Sequence, residues 1–151
     1  MKLSIQEIKK SCFCSKKTGN LSISEKRSSL LIENNSHTLH AIKIDGGILN
    51  NSTTKKCDYL VVKSNKINTL DEKLLFIELK GSDIKMAIEQ ISETIKQLDT
   101  GNIPSQGVII AAKKVPKEDS STQRLKIEAR KKYKINFYIK SSPHKVSVNS
   151  L

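Results

Sequence analysis

Tryptophan is missing from this chain, and phenylalanine and tyrosine occur three times each. A core with so few large rings must rest on Ile, Leu and Val. Cysteine is scarce as well: Cys12, Cys14 and Cys57 are odd in number and too few for a disulfide framework, which favours free thiols in a reducing compartment. No stretch approaches the roughly 20 apolar residues of a membrane-spanning helix. Lys2, Gln6, Glu7, Lys9 and Lys10 interrupt the N-terminal segment where a signal peptide needs an unbroken apolar run. The expected location is therefore the cytoplasm, with no membrane partner. A Gly-rich phosphate loop followed by Lys-Ser/Thr is absent, and so is Gly-x-Ser-x-Gly. Phosphate-loop nucleotide hydrolysis and serine hydrolase chemistry are thereby disfavoured.

What the chain has in excess is positive charge. Lys plus Arg number 27 against 15 Asp plus Glu, a formal charge of +12 over 151 residues. Such a balance attracts polyanions, nucleic acid first among them. The length suits one domain with one core and leaves little room for a second. Single-domain boundaries are expected at residues 1–151, with a core at about 22–140, an N-terminal extension and a frayed C-terminal tail.

Hydrophobic spacing supplies the elements. Leu3, Ile5 and Ile8 predict a short first helix, and Ser22 or Ser24 can cap a second one running past Leu30 and Leu31. Thr38 to Ile44 alternates as a strand does and ends in the turn Asp45-Gly46-Gly47. Cys57 to Lys63, with Tyr-Leu-Val-Val, predicts a second strand, and Leu74 to Lys80 a third. Ile84, Ile88, Ile91, Ile95 and Leu98 recur at steps of four, three, four and three, an amphipathic helix that Ser82 or Asp83 can cap. Gly107 to Ala112 reads as a strand, Thr122 to Tyr133 as a basic helix and Ile135 to Ile139 as a last strand. The expected fold class is α/β, a mixed central sheet flanked by helices, since a strand-helix-strand run implies a right-handed crossover between parallel neighbours.

One strand carries an exception to its own pattern. In Leu74-Leu75-Phe76-Ile77-Glu78-Leu79-Lys80, the two-residue period puts Glu78 and Lys80 on one face and Leu75, Ile77 and Leu79 on the other. Ionised groups inside an apolar strand are costly unless they pair or bind an ion. Asp58 opens the preceding apolar strand in the same way, so neighbouring strands would bring it toward Glu78. Two carboxylates sharing a site repel each other, and a divalent cation relieves the repulsion. Mg²⁺, with Mn²⁺ as a substitute, suits oxygen ligands best. The bland alternative is an edge-strand ion pair beside a turn aspartate.

Asp58, 19 intervening residues and Glu78-Leu79-Lys80 resemble the signature of the PD-(D/E)xK nuclease superfamily. The resemblance covers roughly Glu25 to Ala112. It implies a restriction-endonuclease-like αβββαβ core, to which a C-terminal helix and strand are added here. It further implies a metal-dependent phosphodiesterase in which Asp58 and Glu78 hold metal and Lys80 assists the attacking water. Some branches of the superfamily add a Gln on the following helix, matched here by Gln90. Many bring an acid from the first helix, for which Glu25 and Glu33 are candidates, and Asp45 offers another from the end of the first strand. Where the family pattern has Pro before the first acid, this chain has Cys57. The settings implied are restriction, defence, DNA repair and mobile-element maintenance, with DNA the first expected substrate and a homodimer or partner protein supplying what so small a domain lacks.

Lys113, Lys114, Arg124, Arg130 and Lys131 head a basic last third that can neutralise phosphates or be a solvated helix face. Cys12, Cys14, His37 and His40 contain the atoms for zinc, but a Cys-x-Cys pair is atypical of structural sites. Two further readings compete with the enzyme: a catalytically inactive nucleic-acid-binding or accessory protein on the same fold, and an immunity or regulatory partner of an acidic protein.

Overall fold

Leu74 to Phe76 and Val61 to Val62 are apolar on both faces of their strands, and a strand of that kind needs cover on each side. The computed structural model describes residues 2–51, 54–81 and 83–151, with only the backbone of Lys80 and Gly81. In chain order the elements are β1 (Leu3–Ser4), α1 (Ile5–Lys9), β2 (Cys14–Lys17), β3 (Leu21–Glu25), β4 (Ser28–Glu33), β5 (His37–Lys43) and β6 (Tyr59–Asn65). Then come β7 (Glu72–Gly81), α2 (Ile84–Gln97), β8 (Leu98–Asp99), β9 (Ser105–Ala111), α3 (Ser120–Tyr133), β10 (Asn136–Ser141), β11 (His144–Ser147) and a 3₁₀ turn at Val148–Ser150.

The main sheet has six strands in the order β10-β9-β7-β6-β5-β2. β5, β6 and β7 form an antiparallel meander, and α2 then carries the chain across so that β9 runs parallel to β7. α3 repeats the crossover and sets β10 parallel to β9. The result is a mixed α/β fold with a sheet core and three helices. A second sheet, β11-β4-β3, packs against one face, and a two-stranded pair, β1-β8, lies apart from both.

Alternation along the strands sorts side chains into two cores. Ile42, Leu60, Val62, Leu74 and Phe76 meet Ile84, Ile88, Ile91 and Ile95 of α2, together with Ile5 and Ile8 of α1. Leu39, Val61, Leu75, Ile77 and Leu79 meet Leu21, Ile23, Leu30 and Ile32 of the second sheet. The layers are therefore helices, six-stranded sheet and three-stranded sheet. Gly107 makes one packing contact possible: a Cβ there would stand 2.5 Å from Cδ1 of Phe137, its neighbour across β9 and β10. The ring occupies that space instead.

Two expectations are corrected, and one strand joins that the spacing did not predict. The segment after Ser22 forms the hairpin β3-β4 rather than a helix, with Lys26 at a φ of 48° supplying the turn. Alternation of Leu21 with Ile23 and of Leu30 with Ile32 buries one face of that hairpin, a period-two pattern that outweighs a weak cap. The polar stretch from Cys14 forms edge strand β2, paired antiparallel with β5. The C-terminal segment is no frayed tail: β11 pairs parallel with β4, and Val146, Val148 and Leu151 are buried. Lys63 ties it down by donating from Nζ to the carbonyl oxygens of Val148 and Leu151. Ser82, one of the two predicted helix caps, lies outside the described residues. The cap is Asp83, whose carboxylate accepts from the Met86 amide at 3.0 Å.

Candidate active site

The antiparallel ladder between β6 and β7 has Tyr59 opposite Ile77 as its last pair. One residue further the backbone alone no longer completes it. Asp58 donates its amide to the Ile77 carbonyl at 3.1 Å, and its carboxylate Oδ2 accepts from the Leu79 amide at 2.7 Å. The side chain thus takes the place of a strand carbonyl. It is held next to the backbone of the residue that follows Glu78. Asp58 is 4% exposed and Glu78 2%, so two carboxylates are buried at the junction of β6 and β7. Their neighbour Cys57 registers both: burial first, then the charges of Glu78 and Asp58, pushes its thiol pKa up, while a hydrogen bond with Thr94 works the other way. Cys57 is therefore a neutral, unreactive thiol wedged beside the pair.

By alternation Glu78 falls on the helix-covered face with Leu74 and Phe76. Helix α2 holds the segment before Asp58 in place. Gln90 donates from Nε2 to the Lys56 carbonyl at 3.2 Å, and Thr94 Oγ1 accepts from the Cys57 amide at 2.9 Å. The Thr94 hydroxyl donates its own hydrogen bond to the Gln90 carbonyl at 2.8 Å, so it donates and accepts at once. Replacing Thr94 by Val keeps the shape and leaves the buried Cys57 amide without its acceptor. Loss of about 1–3 kcal/mol is expected, measurable as a lower urea midpoint with unchanged slope; an unchanged midpoint would remove Thr94 from the framework of the site.

Asp58 and Glu78 both bear on Cys57, and Gln90 holds the segment leading into Asp58 through the Lys56 carbonyl. The Lys80 backbone lies on β7 two residues past Glu78, and its side chain is outside the described residues. Asp45 forms the expected turn with Gly46, whose φ is 75°, and its carboxylate stands 3.9 Å from Lys56 Nζ. Glu25 and Glu33 end β3 and β4 in the second sheet, across the main sheet from the face that Glu78 occupies. They are not supplied by a helix, because the segment after Ser22 forms the β3-β4 hairpin. The charge of Glu25 bears instead on the Tyr59 phenol, whose pKa is raised by burial first and then by Glu25 and Asp58.

Lys56 is the residue that sequence reasoning passed over. It is buried, faces Asp45 and donates to the Asn51 carbonyl. Its place two residues before Asp58 is the signal that a polar run of Asn, Thr and Lys concealed.

The basic residues fall into two groups. Lys113 and Lys114 follow Ala111, whose partner across the sheet is Gly81, so they stand at the carboxylate end. Arg130 and Lys131 sit in the last turn of α3, opposite in direction to β9 and β10, where cations complement the helix dipole. With Arg124 near its start, the 14 residues of α3 spread these charges over about 21 Å.

Among the described residues no group of three or more His, Cys, Asp or Glu is arranged to hold a metal ion. The donor set is two carboxylates, not a closed protein cage. Comparison of the chain with protein-family models, with curated proteins and with solved structures gives no match. What can be said of its activity rests on the site itself.

Proposed function

We propose that the protein is a Mg²⁺-dependent phosphodiesterase that hydrolyses nucleic acid, DNA in the first instance, on a restriction-endonuclease-like core. The observation that carries the reading is the burial of Asp58 and Glu78 at one strand junction, in the Asp…Glu-x-Lys order that resembles the PD-(D/E)xK signature. Two carboxylates buried close together repel each other, and a shared divalent cation relieves that repulsion.

The residues fit the ion. Mg²⁺ is typically held by one or two carboxylates together with water and substrate phosphate, which is the donor set Asp58 and Glu78 offer. When bound, it supplies Lewis acidity toward a phosphate oxygen. The chain's own part is positional. The Leu79 amide fixes the Asp58 carboxylate, and Gln90 and Thr94 fix the backbone leading into it. The resemblance gives Lys80 the part of assisting the attacking water or countering the charge that develops on phosphorus. Lys113 and Lys114 draw the backbone of the substrate to this end of the sheet. Gln90 is a positioning residue, since its side chain acts on the Lys56 carbonyl.

A ligand held only by the native state at a hundred times its dissociation constant adds about 2.7 kcal/mol, so saturating Mn²⁺ or Mg²⁺ is expected to raise Tm by roughly 5–10 °C. Asp58→Asn should erase the rise. Scanning calorimetry with and without the ion reads this directly. Identical shifts in wild type and variant would place any bound metal elsewhere.

A further inference from the structure

Strands β7, β9 and β10 run parallel, and their carboxyl ends open between the starts of α2 and α3, the customary position for a ligand in an α/β sheet. A groove of about 630 Å³ lies there. That volume is in the range of small-molecule sites, roughly 300–1,000 Å³. Its apolar lining is Ile84, Val115, Pro116, Phe137 and Ile139. The Phe137 ring lies over Gly107, where a Cβ would stand 2.5 Å from its Cδ1. Lys85 and Lys117, both exposed, stand on the rim.

The acids around the groove are engaged with the protein. Asp83 and Asp119 turn back to cap their own helices, accepting from Met86 and Thr122 at 3.0 and 2.8 Å. Glu118 is paired with Lys126 at 3.2 Å. The lining holds as many lysines as carboxylates, and among the described residues neither Lys85 nor Lys117 is in an ion pair, so these two ammonium groups remain available to an anion. The groove is also close in sequence to the proposed catalytic end of the sheet, since four residues stand between Glu78 and Asp83.

An apolar slot that includes an aromatic ring and has two exposed, unpaired lysines on its rim suits one nucleotide unit: a flat base with phosphates on either side. We propose that this groove receives an unpaired base of a nucleic-acid strand, while Lys85 and Lys117 take its flanking phosphates. The inference rests on the nucleic-acid reading above and narrows it to a substrate with a single-stranded segment or a frayed end. A base in duplex stacks on its neighbours and cannot enter.

The test uses the full chain in EDTA, so that nothing is cleaved, and fluorescence polarisation of three labelled probes of equal length: oligothymidylate, a wholly abasic strand and a duplex. Wild type is expected to hold oligothymidylate about tenfold more tightly than the abasic strand, in keeping with base stacking on an aromatic ring. Phe137→Leu should remove most of that preference and leave duplex binding unchanged. The exposed pair Lys85→Glu and Lys117→Glu, which does not touch the core, should weaken both single strands tenfold or more. Equal binding of the abasic and thymidylate strands by wild type overturns the inference, and so does unaltered binding by the double lysine variant. A chain that cleaves DNA with Mg²⁺ yet ignores the bases fails here alone. One that binds bases through the groove and cleaves nothing with any divalent ion fails the hydrolytic reading alone.

Discussion

Replacing Glu78 by Gln is expected to lower Mg²⁺-dependent cleavage of DNA by about a thousandfold, the size of effect seen when one charge-stabilising group is removed from a transition state. The substitution keeps the volume of a side chain that is 2% exposed, so the core around Phe76 and α2 has no cavity to absorb. Loss of activity with an unchanged circular dichroism spectrum would therefore report chemistry and not unfolding. Lys80→Ala should bring a comparable fall. Supercoiled plasmid, with Mg²⁺ and separately with Mn²⁺, gives the measurement. If wild type and both variants nick it at the same rate, the cleavage belongs to a contaminant and the assignment goes with it.

Asp58 differs from Glu78 in having a second task. Its carboxylate completes the hydrogen bonding of β7 where β6 has not yet begun, so the group that is proposed to hold metal also satisfies the Leu79 amide. A buried amide left without an acceptor is costly. Structure and proposed chemistry thus ask for the same residue, and loss of activity in Asp58→Ala would be ambiguous. Glu78 is the cleaner probe for that reason.

The meander and both crossovers were legible because their signals are local. Alternating and continuous apolar runs mark β5, β6, β7 and β9, and the steps of three and four through Ile84, Ile88, Ile91 and Ile95 mark α2. The carboxylate pair was legible for the same reason: each acid breaks an apolar strand, and consecutive strands in a meander are neighbours. The β3-β4 hairpin was not. Its two-residue turn is Lys26-Arg27, with Lys26 in the left-handed region that Asn or Gly ordinarily signals. Without that dipeptide, Leu30 and Leu31 side by side suggested a helix. Lys56 escaped notice because a buried lysine is identified by its partners, and Asp45 reaches it through a turn that sequence cannot place in space.

The last eight residues were illegible for a stronger reason, since β11 has no local partner and pairs with β4 more than a hundred positions away. All that holds it is tertiary. Val146, Val148 and Leu151 are buried against Leu30, Ile32 and Val61, His144 Nε2 shares a hydrogen bond with the Tyr138 hydroxyl at 2.7 Å, and Lys63 grips the end. Burial of each such aliphatic side chain stabilises by about 1.5–3 kcal/mol, so the three together contribute roughly 5–9 kcal/mol against a typical total of about 5–15. A chain ending at Pro143 should therefore be largely unfolded at room temperature, or melt far below the full chain by circular dichroism. The point variant Leu151→Ala, which keeps β11 paired, should cost about 2–5 kcal/mol. The order of the two effects matters, because a truncated chain as stable as the point variant would mean that β4 keeps its face covered without β11. In that event the second sheet would be an accessory to the main one, and the burial of Leu75, Ile77 and Leu79 on the strand that carries Glu78 would not depend on it.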